Sequence, residues 1–252
     1  MDLIEELHNK LIFYPSKDFL SSPALDGIPY EEVYIKTPDN QKLNGYFLPA
    51  EQKTQNTVIY LHGNGENVSS WYLACVEIQK YVPVNVLIVD YRGYGKSTGM
   101  PSVKGVNIDA HSMYMYLIDR GYKPENISLY GRSIGGGIAL ELALKEKVKS
   151  IVVQSSFTSL KDIAKELYPI VPDSIIRNDY WNSKESIKKL NCPILISHGD
   201  MDEIVAVHHS YELFKLANEP KKLIILNGAT HNDVSNYFTK EYFDELKKMF
   251  VI

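Results

Sequence analysis

A serine hydroxyl is a poor nucleophile near neutral pH. It needs a base to take its proton and an acid to orient that base. Residues Ile127 to Gly137 read Ile-Ser-Leu-Tyr-Gly-Arg-Ser-Ile-Gly-Gly-Gly and put a serine where that chemistry can be done. A short apolar run suited to a buried strand passes through Gly131-Arg132-Ser133-Ile134-Gly135 into a helical pattern. Such a strand–turn–helix forms a nucleophile elbow. The turn forces Ser133 into a strained backbone that pushes its hydroxyl out of the sheet. Gly131 and Gly135 remove side chains that would collide there. Gly136 and Gly137 let the helix approach its neighbouring strands. The helix starts just after Ser133, so its free N–H groups face the place where an oxyanion would form.

For a serine on such an elbow, an acid and then a histidine follow in chain order. His231 lies in the loop after the last strand pattern and is the candidate base. Among the other histidines, His198, beside Gly199, reads as a turn-forming structural residue. His62 reads as a brace for its own loop. His208, His209, His111 and His8 sit in helical patterns. Asp200, Asp202 and Glu203 crowd one loop, and any of them could orient the base. Two backbone N–H groups should hold the oxyanion. One is that of Ile134; the other is placed at Asn64, within the His62-Gly63-Asn64-Gly65 loop. Asp90 to Ser97 reads as a rigid Gly-rich loop, with Asp90 and Arg92 in structural ion pairs.

These loops need a scaffold. Tyr30–Lys36 and Lys42–Leu48 read as a hairpin across the Thr37-Pro38-Asp39-Asn40 turn. Buried-strand patterns follow at Thr57–Leu61, Val84–Val89, Ile127 onward, Ser150–Gln154, Pro193–Ser197 and Lys222–Leu226. Helical patterns alternate with them: through Tyr81, Ser102–Arg120 capped by Gly121, Ile138–Leu144, Leu160–Tyr168, Ser183–Leu190, Ala206–Leu216 and Lys240–Phe250. That alternation predicts a parallel sheet with helices on both faces. The chemical residues all fall at strand carboxyl ends, where such sheets place their sites. Met1 to Phe13 carries apolar residues at helical spacing among Glu5, Glu6 and Lys10. It reads as an amphipathic helix that packs on this domain or on a second copy, with membrane contact at most peripheral.

Composition narrows the class. The chain has 252 residues, 44% hydrophobic and 23% charged, with net charge -4. Basic residues are scattered, so no nucleic-acid groove is expected. No apolar run reaches the about 18 residues needed to span a bilayer. Cys75 and Cys192 are too few for a disulfide framework and point to a reducing, cytoplasmic setting. No Cys/His cluster has metal-ligand spacing, so neither metal nor cofactor is expected.

Five motifs, in order, carry a resemblance: His62-Gly63-Asn64-Gly65-Glu66-Asn67, Asp90 through Ser97, Gly131 through Gly136, His198-Gly199-x-x-Asp202-x-x-Val205, and His231-Asn232. Together they resemble the α/β-hydrolase superfamily. Within it they look like the subfamily that includes eukaryotic protein depalmitoylases and many bacterial serine hydrolases. The resemblance implies one domain over residues 1–252 with the α/β-hydrolase fold. A mostly parallel sheet of about eight strands would have helices on both faces and a short cap insertion at roughly 155–185. It puts the nucleophile on Ser133, the acid on Asp202 with Asp200 as fallback, the base on His231 and the oxyanion amides on Asn64 and Ile134. The membrane anchor of many relatives and the cysteine-rich N-terminus of eukaryotic depalmitoylases have no counterpart in residues 1–13, which weakens a membrane-substrate reading.

The expected reaction is cleavage of a carboxylic ester or thioester through an acyl-enzyme. The substrate would be a small acyl ester or thioester; an acylated protein is a second candidate. Activity should fall in acid, because His231 must be neutral to act. The segment from Ser155 to Trp181 should choose the acyl group over a shallow apolar site for short to medium chains. Phe157, Tyr168 and Val205 are the candidate substrate contacts; Leu160, Leu167, Ile170, Val171, Ile175, Ile176, Tyr180 and Trp181 are core or pocket. A peptidase or amidase on the same residues, and a non-catalytic scaffold, are the competing readings.

Overall fold

Eight strands form one sheet in the order β1-β2-β4-β3-β5-β6-β7-β8 in the computed structural model, which describes residues 9, 12–170 and 180–251. The strands are β1 (Glu31–Lys36), β2 (Lys42–Leu48), β3 (Thr57–Leu61), β4 (Asn85–Val89), β5 (Ile127–Arg132), β6 (Ile151–Gln154), β7 (Ile194–Gly199) and β8 (Lys221–Leu226). β1/β2 and β2/β4 pair antiparallel, and every other pair is parallel. The mostly parallel α/β-hydrolase fold read from the sequence is the fold observed.

Burial follows from the sequence. The central strands β3 and β4 are apolar at nearly every position and buried throughout, because helices cover both faces. Along β3, Val58 and Tyr60 join one apolar cluster while Ile59 and Leu61 join the other. The first cluster packs α1 (Val68–Gln79) and the C-terminal helix (Lys240–Phe250) on one face. The second packs α2 (Val103–Asp119) and α3 (Ile134–Ala143) on the other. Edge strand β1 instead alternates exposed and buried residues.

The chain leaves β3 through α1 to β4, then crosses through α2 to β5 on the opposite side of β3. Loops at the carboxyl ends of β3 and β5 therefore diverge and leave a crevice at this switch point. Gly131 lies opposite Leu61 there, so the elbow and the His62–Gly65 loop emerge side by side.

Helix ends use the side chains expected of them. Asn67 accepts from the Ser69 N–H at 2.9 Å and Ser102 from the Gly105 N–H at 3.0 Å. Gly121, at φ +85°, supplies the left-handed turn after α2.

Between β6 and β7 lie α4 (Leu160–Leu167) and the single turn α5 (Ser183–Ser186). α4 stops before Tyr168, which precedes Pro169 and is thereby kept out of helical backbone. The helix expected over Ser183–Leu190 breaks after α5 into a 3-10 turn, Ile187–Lys189. α6 begins at His208, two residues later than expected, and runs to Leu216; α7 is Lys240–Phe250. Val171, Ile175 and Ile176, and most of the expected Met1–Phe13 helix, lie outside the described residues. Phe13 packs edge-on against Trp181 with centroids 6.0 Å apart, a contact worth about 0.5–1.5 kcal/mol beyond area burial. It anchors the N-terminal segment to the base of the cap. No described helix is long and apolar enough to cross a membrane.

Candidate active site

Ser133 joins β5 to α3 with φ +54° and ψ -118°, a conformation that side-chain-bearing residues adopt only when their surroundings impose it. The surroundings here are close backbone. A Cβ on Gly131 would overlap the Gly135 carbonyl, and one on Gly135 would overlap the Leu61 carbonyl. The Ser133 N–H donates to the Gln154 carbonyl at 2.9 Å, which ties the turn to β6. Although Ser133 stands at the N-cap position, its side chain makes no capping bond. The hydroxyl is thus not spent on the helix.

His231 follows β8, and its Nδ1 lies 2.7 Å from Asp202 Oδ2. The three acids crowded in the loop after β7 have separate partners. Asp202 meets the imidazole. Glu203 Oε2 accepts from the His231 backbone N–H at 3.3 Å. Asp200 turns away and accepts from the Gly228 N–H at 2.6 Å. The structure therefore brings Asp202 to His231, and Asp200 braces the neighbouring loop.

Asp202 is held as an anion by its donors. Oδ1 accepts from the N–H groups of Ile204, 3.0 Å, and Val205, 2.8 Å. Oδ2 faces both His231 and His198 Nε2, the latter at 3.1 Å. Burial alone would raise this carboxyl, but the hydrogen bonds from His198 and His231 overcome burial and hold it well below the usual carboxylate range. His198 corrects the sequence reading. It ends β7 fully buried, with Nδ1 2.6 Å from Ser210 Oγ and Nε2 2.7 Å from the Val205 carbonyl. With the carbonyl accepting, Nε2 carries the proton and Nδ1 accepts from Ser210. That one proton is shared between the Val205 carbonyl and Asp202 Oδ2, so the ring is a fixed support under Asp202 and not merely a turn former. No sequence signal beyond its spacing of four from Asp202 pointed to this.

Arg132 was also missed. One of its terminal nitrogens donates to the His231 carbonyl, and its guanidinium lies over Trp71, 5.6 Å from the ring centroid. The residue preceding the elbow serine thus grips the histidine loop. Partners separated by 99 residues leave no local pattern.

The Asn64 side chain locks its own loop. Oδ1 accepts from the Tyr14 and Gly65 N–H groups, both 3.0 Å, and from the Tyr94 hydroxyl, 2.8 Å; Nδ2 donates to the Ile12 carbonyl. The side chain is committed to this network, so only the backbone N–H of Asn64 is a candidate donor to substrate. Behind it, His62 is fully buried with Nδ1 2.8 Å from the Gly63 carbonyl, as suits a loop brace. Arg92 pairs with Asp39 at 2.7 Å and Asp109 at 2.8 Å. Asp90 does not share that role, contrary to expectation; its nearest ion-pair partner is His62 Nε2 at 3.7 Å.

Ser133, Ile134, Asn64 and His231 line one cavity of about 340 Å³, near the lower end of ligand-pocket volumes. Phe157, Tyr168 and Val205 line it too, with Leu160, Ile163 and Leu167 from α4. Trp181 is buried behind this wall against Phe13 and Phe157.

Comparison with known proteins agrees with the architecture. A family model described as alpha/beta hydrolase fold matches residues 56–179. Over 241 residues the chain is 30% identical to protein bem46 of Schizosaccharomyces pombe, covering 90% of this chain and 81% of that one. It is 31% identical over 237 residues to an uncharacterised protein, YfhR, of Escherichia coli K12, covering 88% and 79%. Among solved structures, an alpha-beta hydrolase from Vibrio vulnificus superposes with a TM-score of 0.79 at 23% identity, covering 99% of this chain and 94% of that one. The esterase Pf2001 of Pyrococcus furiosus superposes with 0.76 at 23% identity, covering 93% and 97%.

Proposed function

Since the chain belongs to the α/β-hydrolase fold family, we propose that it is a serine hydrolase that cleaves carboxylic ester or thioester bonds. One observation carries the reading. Ser133, strained and uncommitted at the elbow, shares a cavity with His231, whose far nitrogen is bonded to an anionic Asp202.

In this reaction Ser133 Oγ attacks the acyl carbonyl as Nε2 of His231 takes its proton. The developing imidazolium is stabilised by Asp202, and the oxyanion by the N–H groups of Ile134 and Asn64. His231 returns the proton to the leaving group. A water, activated by the same imidazole, then attacks the acyl-enzyme and frees Ser133. The steps require no metal or cofactor. The acyl chain lies in the 340 Å³ cavity against Phe157, Tyr168 and Val205. Its modest volume and apolar wall favour short to medium chains. The likeness to the Pyrococcus furiosus esterase supports the same bond type. We place the protein in the cytoplasm on its two unpaired cysteines.

Labelling with a fluorophosphonate probe tests the assignment, alongside turnover of p-nitrophenyl esters of increasing chain length. Wild type should label, and Ser133→Ala and His231→Ala should not. Folded wild type that neither labels nor hydrolyses any ester would overturn the reading in favour of a scaffold.

A further inference from the structure

We propose that Glu166, His208 and His209 form a site for one divalent transition-metal ion of the zinc class, which would staple α4 to α6. Among the described residues this is the one group of three such side chains whose ligand atoms all converge, within 4.8 Å of one another. Glu166 lies on α4, and His208 and His209 open α6. Glu166 Oε1 is 3.3 Å from His208 Nε2, and Oε2 is 3.2 Å from His209 Nε2. Zinc bonds of about 2.0–2.1 Å at tetrahedral angles give ligand–ligand edges of about 3.3–3.4 Å, so both spacings suit a shared ion.

The support behind His209 points the same way. Its Nδ1 lies 2.9 Å from Thr158 Oγ1, and the Thr158 hydroxyl donates to Asp162 Oδ2 at 2.8 Å. A hydroxyl has one proton. With that proton spent on Asp162, Oγ1 is able to accept from an Nδ1–H, the tautomer in which Nε2 can bind an ion. In the metal-free chain the Thr158 N–H donates to Nδ1 at 3.3 Å, so there Nε2 carries the hydrogen and donates to the Glu166 carboxylate. An ion bound here would replace that proton between Nε2 and Glu166, with the ring hydrogen moved to Nδ1. A hydroxyl and carboxylate behind a histidine are the outer partners that orient metal-ligating imidazoles. Glu166 and His208 are exposed, which leaves an entry path and room for a water as a further ligand.

The consequence reaches the cavity. Ile163, Ala164 and Leu167 line it from the same helix that carries Glu166. An ion held at Glu166 would fix that wall against α6. The sequence reading found no metal-ligand spacing because the carboxylate comes from 43 residues away.

The same distances also suit simple hydrogen-bonded pairs, so the experiment must separate a metal from a proton. Untagged full-length chain, stripped with chelator, would be titrated calorimetrically with zinc alone. One ion per chain is expected in wild type. Glu166→Gln and His208→Asn, which alter exposed side chains and leave the fold intact, should each weaken binding at least tenfold, and His209→Asn should do the same. His111→Asn, which removes a different histidine–glutamate pair, should bind as wild type does. Zinc should raise the melting temperature of wild type and not of Glu166→Gln. Absence of saturable binding up to about 1 mM, or binding that survives Glu166→Gln and His208→Asn, would overturn the proposal. None of these readouts depends on hydrolase activity.

Discussion

Among the described residues, buried aspartates meet buried histidines at two places beyond strand ends, Asp202 and Asp90, and the two places differ in charge. His231 and Asp202 lie 2.7 Å apart, and Asp202 also receives His198 and two backbone N–H groups. His62 and Asp90 lie 3.7 Å apart, and Asp90 receives one backbone N–H, from Val68 at 2.8 Å. Its Oδ2 has no hydrogen-bond partner among the described residues. Burial pushes Asp90 up to about 8 against the weaker pull of the Val68 N–H. It pushes His62 down to about 4. At neutral pH the first pair holds an anion and the second is largely uncharged. Residue types and proximity are nearly the same in both. The number of donors aimed at the carboxylate sets the difference. One pair is equipped to stabilise a developing imidazolium; the other braces the loop that carries Asn64.

Removing the charge from the first pair should have the largest effect. Asp202→Asn keeps the shape but loses the anion and can hold His231 in the wrong tautomer. A fall in kcat of about 10⁴ is expected, by analogy with other serine hydrolase triads, measured on the best p-nitrophenyl ester. A fall of less than tenfold would mean that the two pairs are equivalent braces and that Asp202 plays no part in turnover.

Removing one donor should have an intermediate effect. His198→Gln keeps a donor near Asp202 but loses the rigid ring fixed between Ser210 and Val205. A charge-assisted hydrogen bond is worth about 1.5–3 kcal/mol, and glutamine recovers part of it, so kcat should fall about tenfold. KM and the urea midpoint should hold, because the effect acts through the orientation of Asp202. A proportional loss of stability with unchanged kcat would make His198 a packing residue only.

This contrast also marks where the sequence was readable. The strand pattern, the glycines around Ser133 and the chain order of serine, acid and histidine are local or one-dimensional signals, and they led to the fold and to the candidate residues. Asp202 and Asp200 could not be separated by residue type. They differ only in which way the loop after β7 turns them, one toward His231 and one toward Gly228. The role of His198 depends on the turn that folds Asp202 back over the end of its own strand. Arg132 reaching His231, and Glu166 reaching His209, depend on closure of the sheet and cap. Asp90, read with Arg92 as an ion-pairing residue of one short loop, turns to the Val68 N–H and the buried His62. Arg92 instead finds Asp39 and Asp109.

The smallest expected effect concerns the second pair and appears in stability rather than turnover. The proton of Asp90 is held in the fold up to about 8 and released by the unfolded chain near its ordinary value of 3.8. Between those limits the native state binds more protons, so this group makes stability fall as pH rises. His62 acts in the opposite sense. Its ordinary value of 6.5 drops to about 4 in the fold, so it makes stability rise with pH between about 4 and 6.5. The two oppose one another below 6.5, and between 6.5 and 8 only the Asp90 contribution remains. Asp90→Asn keeps an acceptor for the Val68 N–H and removes the titration. Urea midpoints measured at pH 6.5, 7.25 and 8 should decline for wild type and decline less for Asp90→Asn. Parallel pH dependence in the two proteins would show that Asp90 is already ionised in the fold. In that case donor number would not be what separates the two pairs.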